Sequence, residues 1–370
     1  MLFKSLKKQT TYGKNHADYI MYALVIVCVI LGLVMLYSTS SYNGQVKFSD
    51  SAYYLKKQFF ATSIGLLLMY IVSQCDYHMW ERFAFPAYIL SLILSALVLA
   101  VGSSYNGSKR WLSIGGLSFQ PAEFAKIAVI LFLAWYISHS KKKIVSIFSM
   151  LKVIIMIMPI VALVGTNNLS TAIIILAIAV VMVFVASPGY KQFIIIGLVG
   201  AAFVALFLRV EQYRLERLMI WRNPEKYEKG YQTLQGLFAI GSGGLFGTGF
   251  GESMQKLGFV PEAQNDMIFS IICEELGLCG AIIVITVFFV LLYRFLLTAH
   301  YADDLFGNLL ASGILAHMGV QVILNIAVVT NTIPNTGITL PFISYGGTSV
   351  MFLLAEMGLA LSVSRCRHLQ

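Results

Sequence analysis

The sequence predicts an all-α polytopic membrane protein of about ten transmembrane helices, and three observations predict it. Of 370 residues, 58% are hydrophobic and only 12% charged, more apolar material than one water-soluble core of this length needs. Ten apolar runs reach or approach the roughly 20 residues that a helix needs to cross a bilayer; they lie at about 19–37, 58–74, 84–102, 121–138, 151–167, 170–186, 191–209, 267–293, 306–330 and 346–364. Lys and Arg, finally, divide unequally between the segments that join these runs.

The first run follows Lys4, Lys7, Lys8 and Lys14. It is long for a signal-peptide apolar region and lacks a small-x-small cleavage site, so it is expected to remain as an anchor. The fifth and sixth runs meet at Thr166–Thr171, a connection short enough to make the two helices antiparallel neighbours. Ten crossings put both termini on one side. Short segments on that side carry thirteen cations (Lys4, Lys7, Lys8, Lys14, Arg82, Lys141, Lys142, Lys143, Lys152, Lys191, Arg294, Arg365, Arg367) against five on the other (Lys47, Lys56, Lys57, Lys109, Arg110). Both termini are therefore expected in the cytoplasm. The long loop at 210–266, between helices 7 and 8, faces outward. It opens with Glu211–Arg222, an apolar stripe broken by cations that suits an interfacial helix, and Pro224 ends that helix. Gly230–Gly258 then holds nine glycines, as expected of a re-entrant backbone packed against other helices. A second Gly/Pro-rich segment, Asn331–Gly347, falls on the same face, and the two are expected to wall a cavity. No interval outside the spans is patterned to build a soluble core, and no inverted repeat is evident. Residues 1–370 read as a single membrane domain.

Several function classes are excluded. The net charge of +9 is spread in clusters between spans and not along one polar face, so membrane lipids, and no nucleic acid, are the expected partners. Five scattered cysteines show no CxxC or zinc spacing. Six histidines, mostly at cytoplasmic edges, form no HExxH. Gly247-x-Gly249-x-Gly251 follows no strand and lacks a Walker sequence, which argues against nucleotide binding.

The run Pro261–Phe269 places Asp266 where water meets lipid. A carboxylate there suggests chemistry on a membrane-borne substrate, although a first-turn residue favoured by the helix dipole is an equal reading; Asn265 is a candidate cap. Glu274 and Glu275 lie roughly 12–14 Å deeper along the helix and are expected to need a cationic or hydrogen-bonding partner, hence a supporting role. In Gln120–Lys126, Pro121 and Glu123 fit a helix start. Lys126, three residues on, shares a face with Glu123; Glu123, Glu274, Glu275 and a phosphate are all open as its partner. Lys109, Arg110 and Trp111 fit an interfacial anchor or a phosphate contact equally well.

These segments together resemble the SEDS family of shape, elongation, division and sporulation proteins, which includes FtsW, RodA and SpoVE. The resemblance rests on Arg110-Trp111 with Gln120–Lys126; Gly230-Tyr231-Gln232 leading to Ala239–Gly244; Gln255-Lys256-Leu257 with Pro261-Glu262-Ala263; Asp266 through Glu274-Glu275-Leu276-Gly277; and Pro334–Gly337 with Leu340–Gly347. The third of these looks closer to the division and sporulation branch. The resemblance implies a peptidoglycan glycosyltransferase of the bacterial cytoplasmic membrane, polymerising lipid II and undecaprenyl-diphosphate-linked glycan at the outer face beside a class B penicillin-binding protein. It implies Asp266 as general base. Cations would meet the diphosphate, with Arg110, Lys126, Arg217 and Lys256 as candidates and Glu123 beside them, or a divalent ion such as Mg or Mn. Pro261, Glu262, Glu274, Glu275, Ser344 and Tyr345 would support the site. Two departures stand out: Asn265-Asp266-Met267 replaces Thr-Asp-Phe, and Asn167–Thr171 replaces Pro-Asp-Leu-Gly-Thr, removing a carboxylate that a metal site would use. A lipid II flippase and a non-enzymatic scaffold are the competing readings.

Overall fold

The computed structural model describes residues 17–105, 108–114, 117–140, 147–189, 193, 197 and 219–366. Its helices are α1 (Tyr19–Phe48), α2 (Tyr53–Gln74), α3 (Glu81–Val101, preceded by a 3-10 turn at Tyr77–Trp80), α4 (Pro121–Ser138), α5 (Ile147–Gly165), α6 (Leu169–Ala186), the short α7 (Tyr231–Ser242), α8 (Ile268–His300), α9 (Leu305–Val329) and α10 (Gly347–Arg365). Among the described residues, nine helices, all but α7, are long and apolar enough to cross a membrane. The expected span at 191–209, the interfacial stripe at 211–218 and Arg217 lie outside the described residues.

Helix ends follow local chemistry. Asp18 caps α1 through the Met21 N–H at 3.0 Å, Asn168 caps α6 through Thr171, and Asp304 caps α9 through Gly307; each satisfies an otherwise orphaned N–H. Pro121 starts α4 as expected. The Asp18 N–H also donates to Ser364 Oγ, and its carboxylate receives Arg294, so the start of α1, the lower part of α8 and the end of α10 meet at one face. Both ends of the described chain therefore lie on the side that the basic residues mark as cytoplasmic. α4 is buried nearly all round and packs on α3, α9 and α6, while α2 lies along α10. That last pair approaches closely because Gly358 sets its Cα against the Met69 backbone, where a Cβ would come within 2.8 Å of a carbonyl oxygen.

Two features differ from the expectation. The segment between α3 and α4 is a three-stranded antiparallel meander, β1 (Ser103–Tyr105), β2 (Ser108–Ile114) and β3 (Leu117–Phe119), where the all-α reading placed only an interfacial anchor. Asn106-Gly107 and Gly115-Gly116 separate the strands in sequence, and such dipeptides are hairpin signals. α8, moreover, is broken at Gly277 (φ 66°, ψ −166°).

The break is filled by the glycine-rich segment that follows α7. Thr248 and Gly249 N–H groups donate to the carbonyls of Glu274 and Glu275 at 2.9 and 3.1 Å, and the N–H groups of Leu278 and Cys279 donate back to Gly244 and Leu245 at 3.0 and 3.1 Å. Re-entrant backbone thus supplies the partners that an interrupted helix lacks in lipid. Leu245, Phe246 and Met254 stay exposed on this segment and offer apolar surface to the bilayer. At Gly277 a Cβ would lie 2.3 Å from the Gly247 nitrogen on a backbone already at positive φ. Gly277→Ala is expected to destabilise by about 1–3 kcal/mol or more, read as a lower unfolding midpoint in detergent; an unchanged midpoint would show that the break tolerates a side chain.

Candidate active site

Three outer elements converge on Asp266: α7, the Pro261–Met267 turn and the 331–346 segment. Asp266 precedes α8 and is 9% exposed. Its Oδ1 accepts from Gln232 Nε2 of α7 at 3.3 Å, and the same amide nitrogen lies 3.3 Å from the Pro261 carbonyl. Asn335 Nδ2 in turn donates to Gln232 Oε1 at 3.3 Å, and a Cβ on Gly337 would sit 3.9 Å from Asp266 Oδ2. Below, Asn325 Nδ2 bridges the Asp266 and Ile338 carbonyls at 2.8 and 2.7 Å. Burial pushes the Asp266 carboxyl up to about 6, the negative charge of Glu262 adds to the rise, and backbone N–H groups and Gln232 oppose it. An acid so placed gains and loses its proton near pH 6, well above the ordinary aspartate range.

Asn265 does not cap α8. Its Nδ2 donates to Glu262 Oε2 at 2.8 Å, and the helix begins after Met267 without a side-chain cap, because Glu262 at φ 50° turns the chain back on itself. Tyr345 N–H donates to the Gln264 carbonyl and joins the 340–346 segment to the Asp266 turn, while Ser344 Oγ accepts from Leu340 N–H and closes that segment on itself.

Lys256, expected to face a diphosphate, is instead buried. Its Nζ lies 2.7 Å from Glu275 Oε1, 2.9 Å from Ser38 Oγ and 2.6 Å from the Gly251 carbonyl. This corrects the expectation: a glutamate at that depth needs a cation, and the re-entrant segment delivers one. Glu274 likewise accepts from Ser253 Oγ and from the Met254 N–H at 3.0 Å. Lys126, 2% exposed, pairs with Glu123 at 3.1 Å, not with Glu274 or Glu275, and reaches Gln321 Oε1 at 3.2 Å. Ser349 donates to Glu123 at 2.7 Å. Arg110 is exposed on β2 and donates to the Asn167 carbonyl at 2.8 Å.

The sequence reading missed a polar ladder along α9. His317, Gln321 and Asn325, spaced four apart, share one helix face. His317 meets Glu356 of α10 at 2.8 Å and Gln321 at 2.9 Å, and Gln321 Nε2 donates to the Thr339 carbonyl at 3.1 Å. His317 thus lies in the bundle, not at a cytoplasmic edge, and the i, i+4, i+8 pattern was the available signal. The ladder holds the 338–339 backbone and, through it, the wall beside Asp266.

The fold and this site define a polytopic membrane protein with a buried carboxyl of raised pKa at the outer ends of its helices. Residues 18–369 match the model of the FtsW, RodA and SpoVE cell cycle proteins. The chain is 38% identical to stage V sporulation protein E of Bacillus subtilis, covering 96% of this chain and 99% of that one. It is 36% identical to the probable peptidoglycan glycosyltransferase FtsW of Trichlorobacter lovleyi, covering 94% and 93%. Among solved structures, a chain of one described as structural coordination of polymerization and crosslinking by a peptidoglycan synthase complex superposes with a TM-score of 0.82 at 30% identity, over 96% of this chain and 99% of that chain. The rod shape determining protein RodA of Thermus thermophilus gives 0.71 at 29%, over 96% and 98%. The chain belongs to the FtsW/RodA/SpoVE family.

Two measurements test this geometry. Lys256→Met strands Glu275 and is expected to cost about 3–5 kcal/mol, with much of the loss restored in Lys256→Met/Glu275→Leu; equal stability of wild type and single variant would remove the pair from the fold's support. Infrared or NMR titration of the Asp266 carboxyl is expected to centre near pH 6, and higher in Gln232→Leu, which loses a bond that favours the ionised form. A midpoint in the ordinary aspartate range would contradict the burial argument.

Proposed function

We propose that this chain is a peptidoglycan glycosyltransferase that polymerises lipid II at the outer face of the cytoplasmic membrane, with Asp266 as its general base. The observation that carries the reading is the environment of Asp266. It is a buried acid raised to about 6, at the outer ends of the spans, walled by amides and glycine, with no cation bonded to it among the described residues. A general base works best with a pKa near the operating pH.

In the proposed step the ionised Asp266 takes the proton from the 4-hydroxyl of the acceptor sugar. The oxygen attacks the anomeric carbon of the growing chain as the bond to undecaprenyl diphosphate breaks, and the diphosphate departs with the electron pair. Gln232, fixed between Asn335, Pro261 and Asp266, orients the base. Asn265 Oδ1 and Thr336 Oγ1, buried and without a hydrogen-bond partner among the described residues, flank the site in sequence and suit sugar hydroxyls. An apolar groove of about 360 Å³ between α3, α4 and α10, lined by Trp80, Phe83, Phe124, Leu131, Phe352 and Leu359, suits a polyprenyl chain.

Lys126 and Lys256 are committed to carboxylates, so Arg110 is the cation among the described candidates that stays proposed for the diphosphate. The donors around Asp266 do not fit a resident divalent ion well. Asn168 stands where a second carboxylate was expected, and its Oδ1 is turned to the Thr171 N–H. Among the described residues, the group of three His, Cys, Asp or Glu donors close enough to share an ion lies elsewhere, and no step here is routed through a metal. A class B penicillin-binding protein is the proposed partner, supported by the likeness to a chain from a peptidoglycan synthase complex.

Reconstitution with the cognate penicillin-binding protein and labelled lipid II tests the reading. Wild type is expected to yield glycan polymer, Asp266→Asn to lose about 10²–10⁴-fold, and the wild-type rate to fall as pH drops below about 6, where the base becomes protonated. Unchanged polymer from the variant would remove Asp266 from catalysis; none from an intact wild-type complex would favour the flippase or scaffold.

A further inference from the structure

On the face opposite Asp266, the 3-10 turn before α3 and the connection into α9 bring His78, Glu81 and Asp304 together. One donor atom from each lies within 4.8 Å of the other two, and His78 Nε2 is 3.5 Å from Asp304 Oδ2. Metal bonds of about 2.1 Å set tetrahedral ligands about 3.4 Å apart, so only a small contraction separates this group from a coordination sphere.

The outer contacts of these residues set the group apart from a chance cluster. His78 Nδ1 lies 2.8 Å from Asp76 Oδ1, which also accepts the His78 backbone N–H at 2.9 Å. A carboxylate on one ring nitrogen favours the proton there, so that an ion which displaces the proton of the other nitrogen meets the usual arrangement of a metal-binding imidazole. Asp304 is fixed in the same way. Its Oδ1 accepts from the Tyr77 hydroxyl at 2.7 Å and from the Gly307 N–H at 2.9 Å, which aims Oδ2 at His78. At the end of α4, His139 Nε2 lies 3.6 Å from Glu81 Oε2 and holds that carboxylate beside the group. The His78 side chain is 48% exposed, so solvent ions reach the group.

We propose that His78, Glu81 and Asp304 form a binding site for a first-row divalent transition ion, Zn²⁺ foremost, which fastens the α2–α3 junction to the start of α9. One imidazole and two carboxylates, with water completing the shell, suit such an ion, whereas Mg²⁺ and Ca²⁺ prefer all-oxygen shells. The site is separate from Asp266 and independent of its role.

The test uses the full chain in detergent, stripped with a chelator, then titrated with Co²⁺ followed by optical absorption and competed with Zn²⁺. One equivalent per chain is expected. His78→Gln and Asp304→Asn are each expected to weaken binding by about 10-fold or more, Asp76→Asn by about 10–100-fold although it removes no ligand, and Asp266→Asn not at all. Pulsed EPR of the Cu²⁺-loaded wild type is expected to detect a coordinated imidazole nitrogen, which keeps the test independent of variant folding. No stoichiometric binding by wild type at about 0.1 mM metal, far weaker than a dedicated protein site, or equal binding by wild type, His78→Gln and Asp304→Asn, would overturn the proposal and leave an ion pair between His78 and its two aspartates.

Discussion

A break in a membrane helix has to be closed by other protein groups, because lipid offers the freed N–H and C=O nothing to bond. The outer half of this molecule is organised around that constraint at Gly277. Four backbone hydrogen bonds between 244–249 and 274–279 repair α8, and they are available only because the glycine-rich segment folds inward from α7. Lys256 arrives with that segment and meets Glu275 and Ser38, so one insertion satisfies both the interrupted backbone and a buried carboxylate. The Pro261–Met267 turn closes the segment and sets Asp266 at the outer end of α8.

Buried charge elsewhere obeys the same logic. Glu123 with Lys126, His317 with Glu356 and Asp18 with Arg294 each join two residues whose separate burial would be costly. Such pairs add little net stability compared with apolar packing, but removal of one partner is severe, so the two that join different helices, His317 with Glu356 and Asp18 with Arg294, fix which faces meet. Asp266 is the exception. It is buried beside amides, with a second carboxylate near and no cation bonded to it among the described residues, and its raised pKa is the result. The molecule compensates its structural acids and leaves this one poised to exchange a proton.

Much of this was legible in the chain. The positions of the described spans, the inward glycine-rich stretch and Asp266 at a helix threshold follow from apolar length and glycine density, which act locally. That Glu274 and Glu275 need a cationic or hydrogen-bonding partner was also readable from the cost of burying carboxylates. The meander at 103–119 was overlooked although Asn106-Gly107 and Gly115-Gly116 mark turns, since a membrane-wide hydropathy reading gives short outer strands no weight. The α9 ladder was overlooked because three polar residues in a long apolar run barely alter its average, although their four-residue spacing places them on one face.

By itself, then, the sequence determined what is set by composition along the chain: a multi-span membrane protein, its orientation and a carboxyl at its outer lip. Only the tertiary structure decided the partners. Lys256 belongs to Glu275, and Gln232 from α7 to Asp266. The reason is physical. A charge's position in a sequence fixes its cost of burial, whereas the group that offsets that cost comes from residues far along the chain, and only packing brings them within bonding distance.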